Sequence, residues 1–221
     1  YHDHFFAFVY GMLGQMQTIH KGVELGMDTQ FGGPLQLSAV SSFGSYFIAN
    51  NPLYEIRLSN DLYKVESGIL QLQGLPATSN PQWVQAISIQ YQPDYSSRIG
   101  ISGVYSMRRS IDYNYFRRSI LLKNQINNDA IWNLIQSENY LPNQWVFNVF
   151  MSKQYAFALK NKKQTIRFSV SIRNVLNTLI PLFSFEQSRF DYTAFRLEKF
   201  PLKYMYDQGT TYALGAHLQI Q

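Results

Sequence analysis

Seven ionisable side chains sit in or beside strand-like stretches, on the polar side of a two-residue repeat: Glu24, Asp28, Arg98, Arg108, Arg167, Arg173 and His217. Acids and bases spread thinly over one polar surface can pair with a docked partner or with one another. They do not form the converging constellation that bond-breaking needs. A hydrolase wants Ser, His and an acid meeting at one place, and neither His20 nor His217 has a Ser partner at matching height. His2 and His4 share a face, but two imidazoles do not fill a metal's coordination sphere. Glu55, Asp61 and Glu66 lack calcium-loop spacing and read as solvated loop carboxylates. No glycine-rich phosphate loop or nucleophile elbow is present. The chemistry expected is binding, with no catalytic residue, metal site or cofactor, so the chain reads as a non-enzyme. A second group, Tyr113, Tyr115, Phe116, Trp132 and Tyr140, falls in a long interruption of the repeat. These aromatics are candidates for contacting a ligand, with packing of the loop on itself an equal alternative.

Parity positions the ionisable set. In 206–221 the even residues are Tyr206, Gln208, Thr210, Tyr212, Leu214, Ala216, Leu218 and Ile220, while the odd ones are small or polar. Such a split makes a strand with one apolar face. It recurs in 19–31, 35–43, 82–92, 98–107, 145–157 and 165–176, with Lys153 the exception on an apolar side. The opening run 4–11 is more uniformly apolar. Together these are about eight strands of roughly ten residues, the length that crosses a bilayer when tilted. Connections are short at 32–34, 93–97 and 161–163 and long at 45–80, 112–142 and 177–205, with a shorter one at 12–18. The fold expected is all-β: an antiparallel, meandering transmembrane β-barrel segment with its short turns at one end.

A soluble β-sandwich alternates as well. Two features weigh against it. Trp, Tyr and Phe crowd toward the ends of the apolar faces, as at membrane interfaces. Glu24, Asp28, Arg98, Arg167 and Arg173 stand on the polar faces in or near mid-strand, which is costly in a dry core. Composition agrees with the barrel: 221 residues, no Cys, 16 Tyr and 16 Phe, with a mean hydropathy of -0.21. No stretch approaches the roughly 18 apolar residues of a spanning helix. The net charge of +5 is dispersed, in pairs such as Arg108-Arg109, Arg117-Arg118 and Lys162-Lys163. That suits anionic lipid head groups better than nucleic acid, which wants a continuous basic track.

The runs HKGVELGMD (20–28) and IRNVLNT (172–178) and the segment FEQSRFDYTAFRLEKFPLKYMYDQGTTYALGAHLQI (185–220) resemble the C-terminal barrel of TonB-dependent outer-membrane receptors. Matching features are an Asn-x-x-Asn step at a strand exit (Asn174, Asn177) and a Glu-x-x-Arg-Phe-Asp loop (Glu186, Arg189, Phe190, Asp191). A Phe-Pro-x-x-Tyr segment follows (Phe200, Pro201, Tyr204), then a last strand containing Gly209. The likeness is strongest from 166 onward. Such receptors usually end on an aromatic residue, whereas this chain ends on Gln221.

The resemblance implies that 1–221 is the C-terminal part of a single barrel domain of about 22 strands. The plug domain and signal peptide lie outside this chain. It further implies the bacterial outer membrane and energised import of a scarce solute, in which TonB pulls on the plug and the solute crosses the lumen. The partners implied are the outer-membrane bilayer, the protein's own N-terminal plug, TonB through the missing N-terminal part, and a surface lipoprotein. Nucleic acid is not among them. The seven ionisable residues would face lumen and plug. With long loops and no plug, strands 4–11 and 206–220 are expected not to pair with each other. The alternative is a self-contained small outer-membrane barrel, acting as a surface adhesin, a structural protein or a barrel hydrolase.

Overall fold

The structure is a computed structural model and describes residues 9–58, 64–159 and 162–220. Its strands begin with β1 (Val9–Gly14), β2 (Thr18–Phe31), β3 (Leu35–Ile48), β4 (Leu53–Leu58), β5 (Lys64–Ile69), β6 (Trp83–Asp94) and β7 (Ser97–Met107). Two helices follow, α1 (Ile120–Gln125) and α2 (Asp129–Gln136). Then come β8 (Gln144–Leu159), β9 (Lys162–Arg173), β10 (Pro181–Phe185), β11 (Lys203–Tyr206) and β12 (Thr211–Ile220).

The chain is all-β with antiparallel sheets, but the described residues hold 12 strands rather than about eight, and no closed barrel. Seven strands form the main sheet, in the order β2-β3-β6-β7-β8-β9-β12. Every neighbouring pair is antiparallel, so the sheet is a meander. The β2–β3, β6–β7 and β8–β9 links are short and share one end. The long connections 49–82, 108–143 and 174–210 share the other. β2 and β12 are the two edges and do not pair with each other.

Four corrections to the sequence reading follow. The opening strand is not part of this sheet, since β1 pairs with β4 in a separate three-stranded sheet, β1-β4-β5; residues 1–8 lie outside the described residues. The connection 45–80 contains β4 and β5. The connection 177–205 contains β10 and most of β11, which form a two-stranded sheet of their own. Finally, the last strand starts at Thr211 rather than at 206. Tyr206 belongs to β11, and the chain turns through Asp207 and Gly209, where φ is +81°.

Within the main sheet, register carries one face from β3 across to β12, with Phe31 of β2 opposite Leu35. One row runs Leu35, Tyr91, Ile99, Met151, Val170, Leu214. The next runs Leu37, Ile89, Ile101, Val149, Ile172, Tyr212. Opposite parity gives rows such as Asp28, Ser38, Ser88, Ser102, Asn148. It is the apolar face that stands outward: Val23, Leu25, Ile87, Ile89, Ile99, Ile101 and Tyr212 are exposed, and Leu214 is 81% exposed. Ser88, Gln90 and Ser102 on the other face are half-buried. A sandwich buries its apolar face, whereas here that face is uncovered. Glu24, Val40, Ser169, Ser171 and His217 on the other face are exposed as well, so the sheet is open on both sides among the described residues. Aromatics flank the aliphatic rows. Trp145 stacks on Tyr105 at 4.8 Å and on Phe147 at 5.6 Å near the long-loop end. Phe31, Tyr91, Tyr155 and Phe157 lie toward the turn end and are exposed. Lys153, the odd residue on the apolar side, reaches Ser97 and the Asp94 carboxylate (3.6 Å), so its charge ends at the β6–β7 turn. Long cationic side chains behave this way when their stems cross apolar surface.

Candidate functional site

Both buried clusters lie at the long-loop end. Ile48, Tyr54, Ile56, Leu70, Leu72 and Leu75 form one, with Tyr115 and Phe116 against it. Leu122, Ile126, Trp132, Ile135 and Phe190 form the other. Ile48 has the parity of Ser42 and Tyr46, so this head sits over the polar face at its rim. The sequence reading left 112–142 as loop, yet helix signals were present. Ser119 caps α1 by accepting the Leu122 N–H (3.2 Å), and Asn128 caps α2 by accepting the Ala130 N–H (2.9 Å). Both are residue types that favour N-caps. Ile131, Trp132 and Ile135 follow at helical spacing.

Three arginines fasten the loops together. Arg118, 0% exposed, donates from Nη1 to Glu186 Oε2 (2.7 Å) and from Nη2 to Glu186 Oε1 (2.9 Å). Its guanidinium also lies 4.6 Å from the Tyr113 ring centre. Glu186 Oε2 accepts the Asn114 N–H at 2.9 Å. Arg117 Nη2 donates to the carbonyls of Gln187 (2.7 Å) and Arg189 (2.6 Å), and Arg109 Nη2 to that of Pro181 (2.8 Å). Arg109, Arg117 and Arg118 are buried. These three residues of the basic pairs are therefore loop staples rather than lipid-head-group contacts.

The motifs that carried the family resemblance acquire local roles. Asn174 and Asn177 both have positive φ, which Asn tolerates better than most residues. Asn174 Oδ1 accepts the Thr178 N–H (3.1 Å), and Asn177 Oδ1 accepts the Thr210 N–H (3.2 Å). The step thus ties the exit of β9 to the entry of β12. Phe190 joins the second cluster. Asp191 accepts the N–H groups of Ala194 (3.3 Å) and Thr193 (3.4 Å) and lies 3.3 Å from Lys199. The Ala194 N–H, then Lys199, holds its carboxyl below the usual carboxylate range against a burial penalty. Gly209 combines a close contact with a left-handed backbone: a Cβ there would lie 2.7 Å from Asn177 Oδ1, at φ +81°. Gly209→Ala is expected to cost about 1–3 kcal/mol from strained backbone, read as a lower urea midpoint. Gly26→Ala, where a Cβ meets nothing within 4 Å, is expected to leave the midpoint nearly unchanged.

Of the seven ionisable candidates, six stand on the polar side of the main sheet, Arg173 at its rim as the last residue of β9. Asp28 accepts hydrogen bonds from Gln36 Nε2 (3.0 Å) and Ser38 Oγ (3.3 Å), and Glu24 accepts one from Ser42 Oγ (3.4 Å). Arg167 donates to Gln154 Oε1 (2.8 Å) and Arg98 to Gln92 Oε1 (3.5 Å). His217 stands opposite Arg167 in register. Arg173, at the strand exit, pairs with Asp207 at 3.0 Å. Among the described residues none of the set pairs with another. The acids stand on β2 and the bases on β7, β9 and β12, separated by at least three strand spacings, about 14 Å. Arg108 does not face the sheet's polar side. It follows β7, has φ +53°, and donates to the Tyr140 hydroxyl (3.1 Å), within 3.8 Å of Glu138.

The aromatic candidates separate by burial. Trp132 is in the second cluster and Phe116 packs on the first. Tyr140 packs under Arg108, 5.2 Å from ring centre to guanidinium. Tyr113 is buried, its hydroxyl accepting the Asn139 N–H (2.9 Å), and burial pushes that hydroxyl up to about 12. Tyr113 and Tyr115 line a cleft of about 280 Å³, with Pro76, Ala77, Thr78, Ser79, Ile111 and Asp112 completing it. Among the described residues no three His, Asp or Glu side chains gather as metal ligands. His2, His4 and Asp61 lie outside the described residues.

These features define an all-β chain: a two-faced antiparallel meander whose long connections fold into a stapled head. No family model matches the chain, no curated protein matches it, and no solved structure matches it.

Proposed function

We propose that this chain is the C-terminal portion of a larger outer-membrane β-barrel, of the TonB-dependent receptor kind, which imports a scarce solute by energised plug movement. The observation that carries the reading is the outward apolar face. A continuous aliphatic surface, flanked by aromatics at both ends, is unfavourable in water and matched to hydrocarbon with its interfaces. The polar face, with Asp28, Glu24, Arg98, Arg167 and His217, then lines the lumen and meets the plug. Among the described residues β2 and β12 have no strand on their outer sides, which favours a larger barrel over a small self-contained one, because unpaired backbone groups in hydrocarbon cost several kcal/mol each. In this reading the edges pair with strands outside this chain. The C-terminal end of β12 lies at the short-turn end, the periplasmic side of such barrels, and the head faces outward to the solute.

This chain has no Cys, so an introduced cysteine meets no other thiol within it, and labelling is read against the receptor without the substitution. The pairs Leu25→Cys with Ser38→Cys, and Ile101→Cys with Ser102→Cys, place a thiol on each face. In outer membranes containing the receptor, a lipid-dissolved quencher is expected to reach labels at 25 and 101. A water-soluble maleimide is expected to react at 38 and 102. Equal maleimide reactivity on the two faces would defeat the membrane reading.

A further inference from the structure

The cleft between 76–79 and 111–115 has rigid walls. Ser110 Oγ donates to the Thr78 carbonyl (2.7 Å), the Ala77 N–H to the Tyr46 carbonyl (3.0 Å), and the Asp112 N–H to the Ser184 carbonyl (2.7 Å). The Glu186 N–H donates to the Asp112 carbonyl at 3.0 Å. The backbone is therefore occupied in holding shape, while three side chains are left over. Asp112 and Ser79 are solvent-exposed and Tyr115 is half-buried, and the carboxylate and two hydroxyls make no hydrogen bond with any described residue. No Lys or Arg lines the cleft, although the chain carries a net +5. The nearby Arg118 charge is already committed to Glu186 in bidentate geometry.

A solvent-facing carboxylate with no partner among the described residues, beside neutral oxygen acceptors and with no Lys or Arg in the wall, disfavours phosphate or carboxylate ligands. An ammonium group has three N–H donors and no acceptor, and Asp112, Ser79 and Tyr115 offer three oxygen acceptors. The Tyr115 ring adds an aromatic face of the kind that attracts cations. At about 280 Å³ the cleft is near the lower end of small-molecule sites, roughly 300–1,000 Å³. We infer that this cleft is a subsite for a primary ammonium group carried by a small solute or by one end of a larger one, seated on Asp112. The inference rests on reading the head as the solute-facing end and adds the chemical class of the solute.

The probes are n-butylammonium and n-butanol, which share a skeleton and differ in the group presented. They are titrated at neutral pH into the receptor purified in detergent, following the Tyr115 ring resonances. Wild type is expected to bind butylammonium and to show no saturable shift with butanol. Asp112→Asn keeps the backbone bonds and removes only the charge. It is expected to weaken butylammonium binding at least tenfold, in line with the loss of a charge-assisted bond. Equal binding by Asp112→Asn and wild type, or butanol binding as well as butylammonium, overturns the assignment. If hydroxyl compounds alone bind, the cleft serves a polyhydroxylated ligand and the ammonium inference is wrong. The cysteine-labelling pattern does not depend on this cleft, so failure here and failure of the membrane reading are separately visible.

Discussion

Leu214→Arg or Val170→Arg should prevent the protein from assembling in the membrane. The two residues are register partners on the apolar face, and Leu214 is 81% exposed. In a lipid-facing position an arginine near mid-bilayer costs roughly 2–4 kcal/mol. Neither side chain touches the head, so a defect would report on the face alone. Ser171→Arg, one residue away on the polar face beside Ala213 and Phe150, should assemble far better, because its charge enters the wet side. The measurement is the fraction of protein resistant to urea extraction from outer membranes. If Ser171→Arg and Leu214→Arg behave alike, the apolar face does not meet lipid.

The second large effect is expected at the head. Arg118→Met leaves Glu186, 8% exposed at its side chain, without its bidentate partner. Breaking one partner of a buried ion pair costs about 3–5 kcal/mol. Three connections meet at this point: Arg118 itself, Glu186 in 174–210, and Gln71, whose N–H donates to the Arg118 carbonyl at 2.7 Å. The loss should therefore appear as rapid proteolysis of all three loops while the strands stay protected. Removing both charges, Arg118→Met with Glu186→Leu, should recover much of the stability, since an apolar pair of similar volume avoids the desolvation penalty. If the single variant is as protease-resistant as wild type, the pair does not hold the head. If the double variant is no better than the single, the loss comes from packing around Tyr113 rather than from the stranded charge.

Parity made seven strands of the sheet legible, along with which face each residue occupies. Ile87, Ile89, Ile99 and Ile101 alternate with Ser88, Gln90, Gly100 and Ser102 because successive strand residues point to opposite sides. Register follows wherever short turns at 32–34 and 95–96 force direct antiparallel return. The acids on β2 and bases on β7, β9 and β12 were placed on the polar face by the same rule. Parity failed where the repeat crossed a break: Tyr206 fits the pattern of Leu214, but Gly209 and Asp207 interrupt the strand between them. It failed as well for 4–11, because an apolar run does not say which partner it finds, and β1 found β4.

The sequence by itself determined the main sheet, its two faces and the direction of its turns, since these depend on contacts between residues two apart or across a tight turn. Only the tertiary structure decided the head. Arg109, Arg117 and Arg118 read as lipid-head-group contacts in the chain. Their burial depends on Pro181, Glu186, Gln187 and Arg189, about seventy residues away. Local pattern carries no record of such partners. The cleft beside Asp112 likewise exists only because the loops at 76–79 and 111–115 are set in place by the Ser110–Thr78 bond and by bonds to third segments. The placing of Asp112, Ser79 and Tyr115 around one cleft is a property of that assembled geometry, and no spacing along the chain announces it.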